Sequence, residues 1–330
     1  MPYSARIQAG FIKHILNAAL PGGINGSLSI FTFHKVPVVR DPLVPDELDM
    51  GEFETIIDFL HTHTQVMALS DAVKSLNQGT LPPRSVALTF DDGYLEWSRN
   101  VAESLLKRSM PATFFVSTEI LSGIPNWHER IVEAVRVLPN AGVRLPLGIT
   151  KYTELSRPDQ RIGLIKDLQS HLKYVHLSER LEAIALLESQ AIAPLQKIPA
   201  FAASDVRSLH SRGFDIGGHT VRHPILTKCT DTEARSEIAG CKSELEQVIG
   251  GKVNFFAYPN GRPGLDFTEK HAAMAKEAGF EGAFSTSTGV ATRASNIYQL
   301  PRAAPWPSTP MRMAVQLARN RTSKSHSTPY

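Results

Sequence analysis

The chain has 330 residues and a mass of 36.3 kDa, with 42% hydrophobic and 20% charged residues and a formal net charge of +3. That length supports one large α/β barrel or two smaller domains, and the composition is that of an ordinary soluble globular protein. So small a charge, with no basic stripe interleaved with aromatics, excludes nucleic acid as the expected partner, and the two cysteines, Cys229 and Cys241, give neither a disulfide framework nor a CxxC metal pair.

Lys13 and His14 interrupt the apolar stretch 11–20, so the N-terminus does not read as a cleavable signal peptide. No run approaches the roughly 18 apolar residues that span a bilayer, and no transmembrane segment is expected. Residues 6–20 read as a short amphipathic helix, packed on the protein body or lying on a membrane surface. A cytoplasmic location is favoured, with cell-envelope association and peripheral membrane contact left open.

Residues 27–33 (SLSIFTF) alternate and predict the first strand. A helix follows over 52–61, with Phe53, Ile56, Ile57 and Leu60 on one face. Residues 65–69 form a short strand, and Ser70 caps a helix running to Asn77. Strand 85–90, a helix from about 95 to 108, and strand 112–116 (ATFFV) come next. The regularity breaks between 119 and 203, where helical patterns at 128–138, 158–175 and 178–190 accompany no clear strand. That stretch is too long for a βα loop and reads as a helical insertion. Strand 214–218 resumes the alternation, and the helix after it opens on a Thr230/Glu233 capping box and stops at Gly250-Gly251. Segments 254–258, 282–286 and 297–300 complete a set of about eight strands. Alternating strands and helices predict a parallel sheet covered by helices. The expected organisation is an N-terminal extension over 1–26, a barrel over 27–310 carrying the insertion, and a solvated basic helix and tail over 311–330 with Arg312, Arg319 and Arg321.

The strand 85–90 runs into Asp91-Asp92-Gly93, the only adjacent aspartate pair in the chain. Two carboxylates at the tip of a buried strand are costly without a partner, so they mark either a solvated turn or a cation site. Residues 217–224 (GGHTVRHP) follow another strand and place His219 and His223 four apart, with Pro224 ruling out a regular helix. His34 follows the first strand, and Tyr258-Pro259-Asn260-Gly261 follows the strand 254–258. In a parallel β/α barrel the carboxyl ends of all strands converge on one face, where active sites are built. One carboxylate with two imidazoles is a three-ligand set that leaves positions open for water and substrate. Lacking sulfur, it suits Zn²⁺, with Co²⁺, Ni²⁺ or Mn²⁺ also compatible. Adjacent strand residues point to opposite sides, so one aspartate faces the cation and the other the attacking water, and His34 supplies a general acid.

With these residues in view, the chain resembles the polysaccharide deacetylases of the NodB-homology type, carbohydrate esterase family 4, from about 27 to 305. Residues 89–93 match that family's TFDDG motif and residues 219–223 its H-[ST]-x-x-H motif. The resemblance implies an irregular (β/α) barrel, Asp91 as general base, and Asp92, His219 and His223 as metal ligands. The 256–261 stretch is similar to the third family motif but lacks its arginine, and it implies oxyanion contacts around Tyr258 and Pro259. A subgroup acting on poly-N-acetylglucosamine-like exopolysaccharides carries its acid histidine in an early strand, and Phe33-His34 looks similar. Arg302 is a candidate to replace the missing arginine and orient Asp91, and Trp127 is a candidate sugar-stacking residue. The implied activity is metal-dependent removal of N-acetyl groups from an amino-sugar glycan or its precursor. A deformylase or cyclic-amide hydrolase of the same fold, and a non-catalytic glycan-binding protein, are the alternatives.

Overall fold

The computed structural model describes residues 3–306 and 309–322. In chain order its strands are β1 (Ser29–Phe33), β2 (Gln65–Val66), β3 (Ser85–Asp92), β4 (Thr113–Val116), β5 (Asp215–Gly218), β6 (Phe255–Ala257) and β7 (Gly282–Phe284). Its helices are α1 (Tyr3–Ala19), α2 (Met50–His63), α3 (Leu69–Gln78), α4 (Ala102–Leu106), α5 (Trp127–Arg136), α6 (Pro158–Leu172), α7 (Leu177–Glu188), α8 (Ala203–Ser211), α9 (Asp231–Ile249), α10 (Glu269–Glu277) and α11 (Pro310–Thr322). The strands form one curled parallel sheet in the order β1-β3-β4-β5-β6-β7, with β2 paired to the start of β3. With helices packed around it, this is the irregular (β/α) barrel that the sequence resemblance implies.

β3 is the spine of the barrel, buried along its whole length. Its residues alternate as the pleat requires. Val86, Leu88 and Phe90 face the helices, whereas Ala87 joins Ile30, Phe115, Ala257 and Phe284 in a separate interior cluster that α3 fills with Leu69, Val73 and Leu76. On the helix side the Phe33, Phe90 and Phe114 rings stack at 5.0 and 4.9 Å. Burying each such ring stabilises the fold by roughly 2–3 kcal/mol. β5 contributes glycine where β4 needs room: a Cβ on Gly217 would lie 2.3 Å from the Phe115 ring. That glycine serves close packing between strands.

The segment expected as a last strand over 297–300 is instead a seam of isolated bridges. Leu300 pairs with Phe284 of β7 and Ala303 with Phe31 of β1, so residues 300–303 join the two edges of the sheet. A turn at Asn296, whose side chain accepts from the Tyr298 N–H, and Pro301, which has no N–H to donate, prevent a regular ladder. The expected helix over 95–108 also divides, opening with a wide π-helical turn over Trp97–Val101 before α4. Ser70 lies inside α3, whose cap position is Ala68.

Between β4 and β5, helices α5, α6 and α7 pack Ile131, Val135, Leu164, Leu168, Ile184 and Leu187 into a core of their own. Arg130 on α5 grips Glu188 at the end of α7 with two hydrogen bonds of 2.9 Å. At the termini, α1 packs against α11, burying Ile12 and Leu16 on one side and Met313, Ala314 and Leu317 on the other. The C-terminal stretch is thus a docked helix rather than a solvated one; residues 323–330 of the expected tail lie outside the described residues. Among the described residues no helix is long and apolar enough to cross a membrane.

Candidate metal centre and active site

Because every strand runs the same way, the residues that follow β1, β3, β5 and β6 meet at one end of the barrel. The Asp-Asp pair divides there. Both carboxylates are buried, Asp91 at 2% exposure and Asp92 at 4%. Asp92 has φ +91°, a strained region for a residue with a side chain, and Gly93 follows at +112°. The pleat would turn Asp92 toward the helices with Val86, Leu88 and Phe90, and the positive φ takes it off that alternation.

Asp92 Oδ1 lies 3.3 Å from His219 Nε2 and 3.3 Å from His223 Nε2. The Nδ1–H of His219 donates to the Ala257 carbonyl at 2.8 Å. A carbonyl can only accept, so Nδ1 carries the hydrogen and Nε2 presents a lone pair. Oδ1 itself is buried and has no hydrogen-bond donor. Oδ1 and His219 Nε2 thus converge with the His223 imidazole, whose Nδ1 is buried without a partner, the three candidate ligating atoms all within 4.8 Å of one another, and a positive charge is what the cluster lacks. Burial pushes the Asp92 carboxyl up, but the adjacent imidazoles outweigh it and hold it well below the usual carboxylate range. These residues fit a divalent cation.

The loop bearing the two histidines is pinned from both sides. Glu237 of α9 accepts from the N–H groups of Val221 and Arg222 at 2.9 and 2.8 Å. Arg180 of α7 donates to the carbonyls of Arg222 and His223 at 3.3 Å each. Thr220 and His223 both take positive φ, 65° and 53°, which folds the pair into a tight turn before Pro224.

Asp91 turns the other way, onto Arg302. The guanidinium donates Nη1 to Oδ1 at 2.7 Å and Nη2 to Oδ2 at 2.6 Å, with a further bond to Thr89 Oγ1 at 3.1 Å. Arg302 is 1% exposed and enters from the 300–303 seam. Burial raises the Asp91 carboxyl, but the Arg302 charge outweighs it and keeps it ionised below its ordinary range.

His34 follows β1, exposed, its carbonyl held by the Trp97 indole N–H at 3.0 Å. It is near enough that a positive charge on it favours the ionised forms of both aspartates. The expectation for Tyr258 needs correction. The Tyr258 N–H donates to the Phe284 carbonyl at 3.1 Å, so β7 has already taken it. Its hydroxyl donates to the Tyr298 carbonyl and its ring stacks on Phe267 at 3.7 Å. Pro259 is buried in the same turn and has no N–H to offer. Among the described residues, the Asn260 N–H makes no hydrogen bond, and it is the donor this turn leaves free. Trp127 is partly buried against the core of the insertion, with the Arg180 guanidinium 4.8 Å over one face of its ring.

Two residues at the site were not singled out in the sequence. Tyr94 donates its hydroxyl to Asp92 Oδ2 at 3.2 Å and lies 2.6 Å from His128 Nε2. His128 Nε2 is itself 3.9 Å from Oδ2. Burial pushes His128 down to about 4, so its ring is neutral at ordinary pH. Tyr94 stands directly after the Asp-Asp-Gly turn, and His128 sits in the first turn of the first long helix after β4. Both addresses belong to the carboxyl-end face of the barrel, which was the available signal.

Comparison with known proteins agrees with this arrangement. The polysaccharide deacetylase family profile matches residues 78–147 and 184–283, just over half of the chain. YxkH of Bacillus subtilis (strain 168), which carries a polysaccharide deacetylase name, is 26% identical over 97 residues; the match spans 29% of this chain and 33% of that protein's length. Among solved structures, the Streptococcus pyogenes deacetylase PplD in complex with acetate superposes with a TM-score of 0.59 at 15% identity, over 89% of this chain and 99% of its own. IcaB from Ammonifex degensii gives 0.56 at 17% identity over 91% and 99%, and the de-N-acetylase from Aggregatibacter actinomycetemcomitans 0.57 at 14% over 88% and 99%. These structures share the fold, and the profile match covers β3 with its aspartates and β5 with its histidines. The chain belongs to the polysaccharide deacetylase family, a family of hydrolases.

Proposed function

We propose that this protein removes N-acetyl groups from an amino-sugar glycan or its precursor by metal-dependent hydrolysis. The observation that carries the reading is the division of two adjacent carboxylates, Asp92 among two imidazoles and Asp91 on a buried arginine. Asp92, His219 and His223 would hold a divalent cation, with Zn²⁺ the best match to the donor set; when bound it would supply polarisation of the amide carbonyl and a lowered water pKa.

Asp91 takes a proton from the attacking water. Arg302 fixes both of its oxygens, so the carboxylate reaches that water in one orientation. His34 protonates the departing nitrogen, and acetate and a free amino sugar result. The Asn260 N–H stabilises the oxyanion as the carbonyl becomes tetrahedral. The Aggregatibacter neighbour is named a de-N-acetylase, and these groups suit that reaction.

The test measures acetate and formate released from N-acetylated and N-formylated glucosamine oligosaccharides, before and after chelation and with Zn²⁺ restored. Acetate release that stops on chelation and returns with metal is expected. Asp91→Asn should lower kcat by about 10²–10⁴-fold while metal content stays at the parent level. Turnover that survives both full chelation and Asp91→Asn overturns the reading.

A further inference from the structure

Tyr94 and His128 take no part in the steps above, yet they are bonded to the centre of the site. The direction of their hydrogen bonds follows from what each atom can do. A carboxylate only accepts, so the Tyr94 hydroxyl hydrogen points at Asp92 Oδ2, 3.2 Å away. The hydroxyl oxygen is then left as an acceptor, and its 2.6 Å contact with His128 requires the hydrogen to sit on Nε2. The result is a one-way chain of donors, His128 to Tyr94 to Asp92, in which each bond polarises the next.

We infer that Tyr94 and His128 are positioning residues that hold Asp92 by its second oxygen, so that Oδ1 alone is presented to the cation. This rests on the reading of Asp92, His219 and His223 as ligands. The two oxygens of Asp92 face different groups: Oδ1 the His219 and His223 imidazoles, Oδ2 the Tyr94–His128 pair. Asp92 needs such an anchor because its backbone, at φ +91°, departs from the pleat that would otherwise aim its side chain. The anchors are themselves fixed. Tyr94 is buried with its ring edge-on to Trp97 at 5.8 Å, and the His128 ring lies edge-on to Trp127 at 5.8 Å. The next residue, Glu129, ties α5 to Lys35 beyond β1 at 2.7 Å. His128 belongs to the insertion, so folding of α5, α6 and α7 supports the cation site although no candidate ligand lies in it.

The experiment measures the Zn²⁺ dissociation constant of the purified full chain by competition with a chromogenic chelator. It compares the parent with Tyr94→Phe, His128→Leu, His128→Gln and the double variant Tyr94→Phe/His128→Leu. Tyr94→Phe should bind about 10–100-fold more weakly, in the range seen when supports of metal ligands are removed. His128→Leu should lose less, and the double variant no more than about threefold beyond Tyr94→Phe, since both act through one oxygen. His128→Gln retains an N–H that can donate to Tyr94 and should recover part of the loss. A purely structural role would lower the thermal midpoint of the metal-free protein and leave the dissociation constant in place. Tyr94→Phe binding within about twofold of the parent overturns the inference. So does a multiplicative double-variant loss led by His128→Leu, which makes His128 act on the cation directly. A parent that binds no Zn²⁺, or His219→Ala that binds as the parent does, overturns the ligand assignment instead.

Discussion

The barrel and its helical insertion reach the same site by different routes. The barrel delivers Asp91, Asp92, His219 and His34 as residues in or directly after strands, held in place by a sheet whose interior and exterior are both packed. The insertion delivers His128 from the first turn of a helix and stands on a core of its own. A strand end fixes a side chain through the whole sheet; an inserted helix fixes one only while its private core holds. The barrel residues are therefore held by the fold as a whole, whereas His128 is held through a smaller unit with its own core.

The sharpest way to break the barrel side is Arg302→Met. It leaves Asp91 ionisable, buried and without its partner, a change that costs about 3–5 kcal/mol. A large fall in thermal midpoint is expected, with acetate release lost as well; a midpoint near that of the parent would mean that the seam is held by its neighbours rather than by the ion pair. On the insertion side, Leu168→Ala removes a fully buried side chain from the separate core and should cost about 2–5 kcal/mol. Hydrogen exchange should show α5, α6 and α7 losing protection while β3 and β4 keep theirs. Loss of protection spread evenly through the sheet would show one cooperative unit instead of two.

The smallest effect lies where the two regions meet. Burial pushes Glu47 up to about 7 from its ordinary 4.5, and one of its oxygens is buried without a hydrogen-bond partner. Between those values the folded chain keeps a proton that the unfolded chain has lost, so stability falls as pH rises from 4.5 to about 7 and then levels off. Glu47→Gln should be more stable than the parent at pH 8, by on the order of 1–3 kcal/mol, and equal to it at pH 4. Thermal or urea unfolding at the two pH values reads the difference; an equal gain at both would rule out ionisation as its cause.

The same contrast decides what could be read from the sequence. Strand ends announce themselves: an alternating or apolar run stops at a polar residue, and parallel topology says where the stop lies. His34, Asp91, Asp92, His219 and the turn after Phe256 were legible for that reason. Arg302 was only half legible, since Pro301 and the turn at Asn296 hide a seam inside what looks like a short strand. His128 was missed because its address on the carboxyl-end face was the only signal, and a histidine opening a helix carries no period that distinguishes the site from solvent. Tyr258 misled because its N–H belongs to a ladder with β7, and ladder partners are set by register rather than by motif. The C-terminal helix misled through its arginines, which stay exposed while Met313 and Leu317 dock.

The seam at 300–303 has a mechanical side. Elsewhere the sheet edges are stitched by runs of backbone hydrogen bonds, but here single bridges at Leu300 and Ala303 flank one long side chain that reaches across to β3. Arg302 thus works as a rivet through the wall of the barrel, its head on the seam and its foot on Asp91. Spreading the first and last strands apart by a few ångströms would draw the guanidinium off that carboxylate before any other strand pair separated. Closure of the barrel and orientation of Asp91 are one event, and on the proposed reading of Asp91 as the base a chain whose seam has sprung should lose activity while still nearly folded.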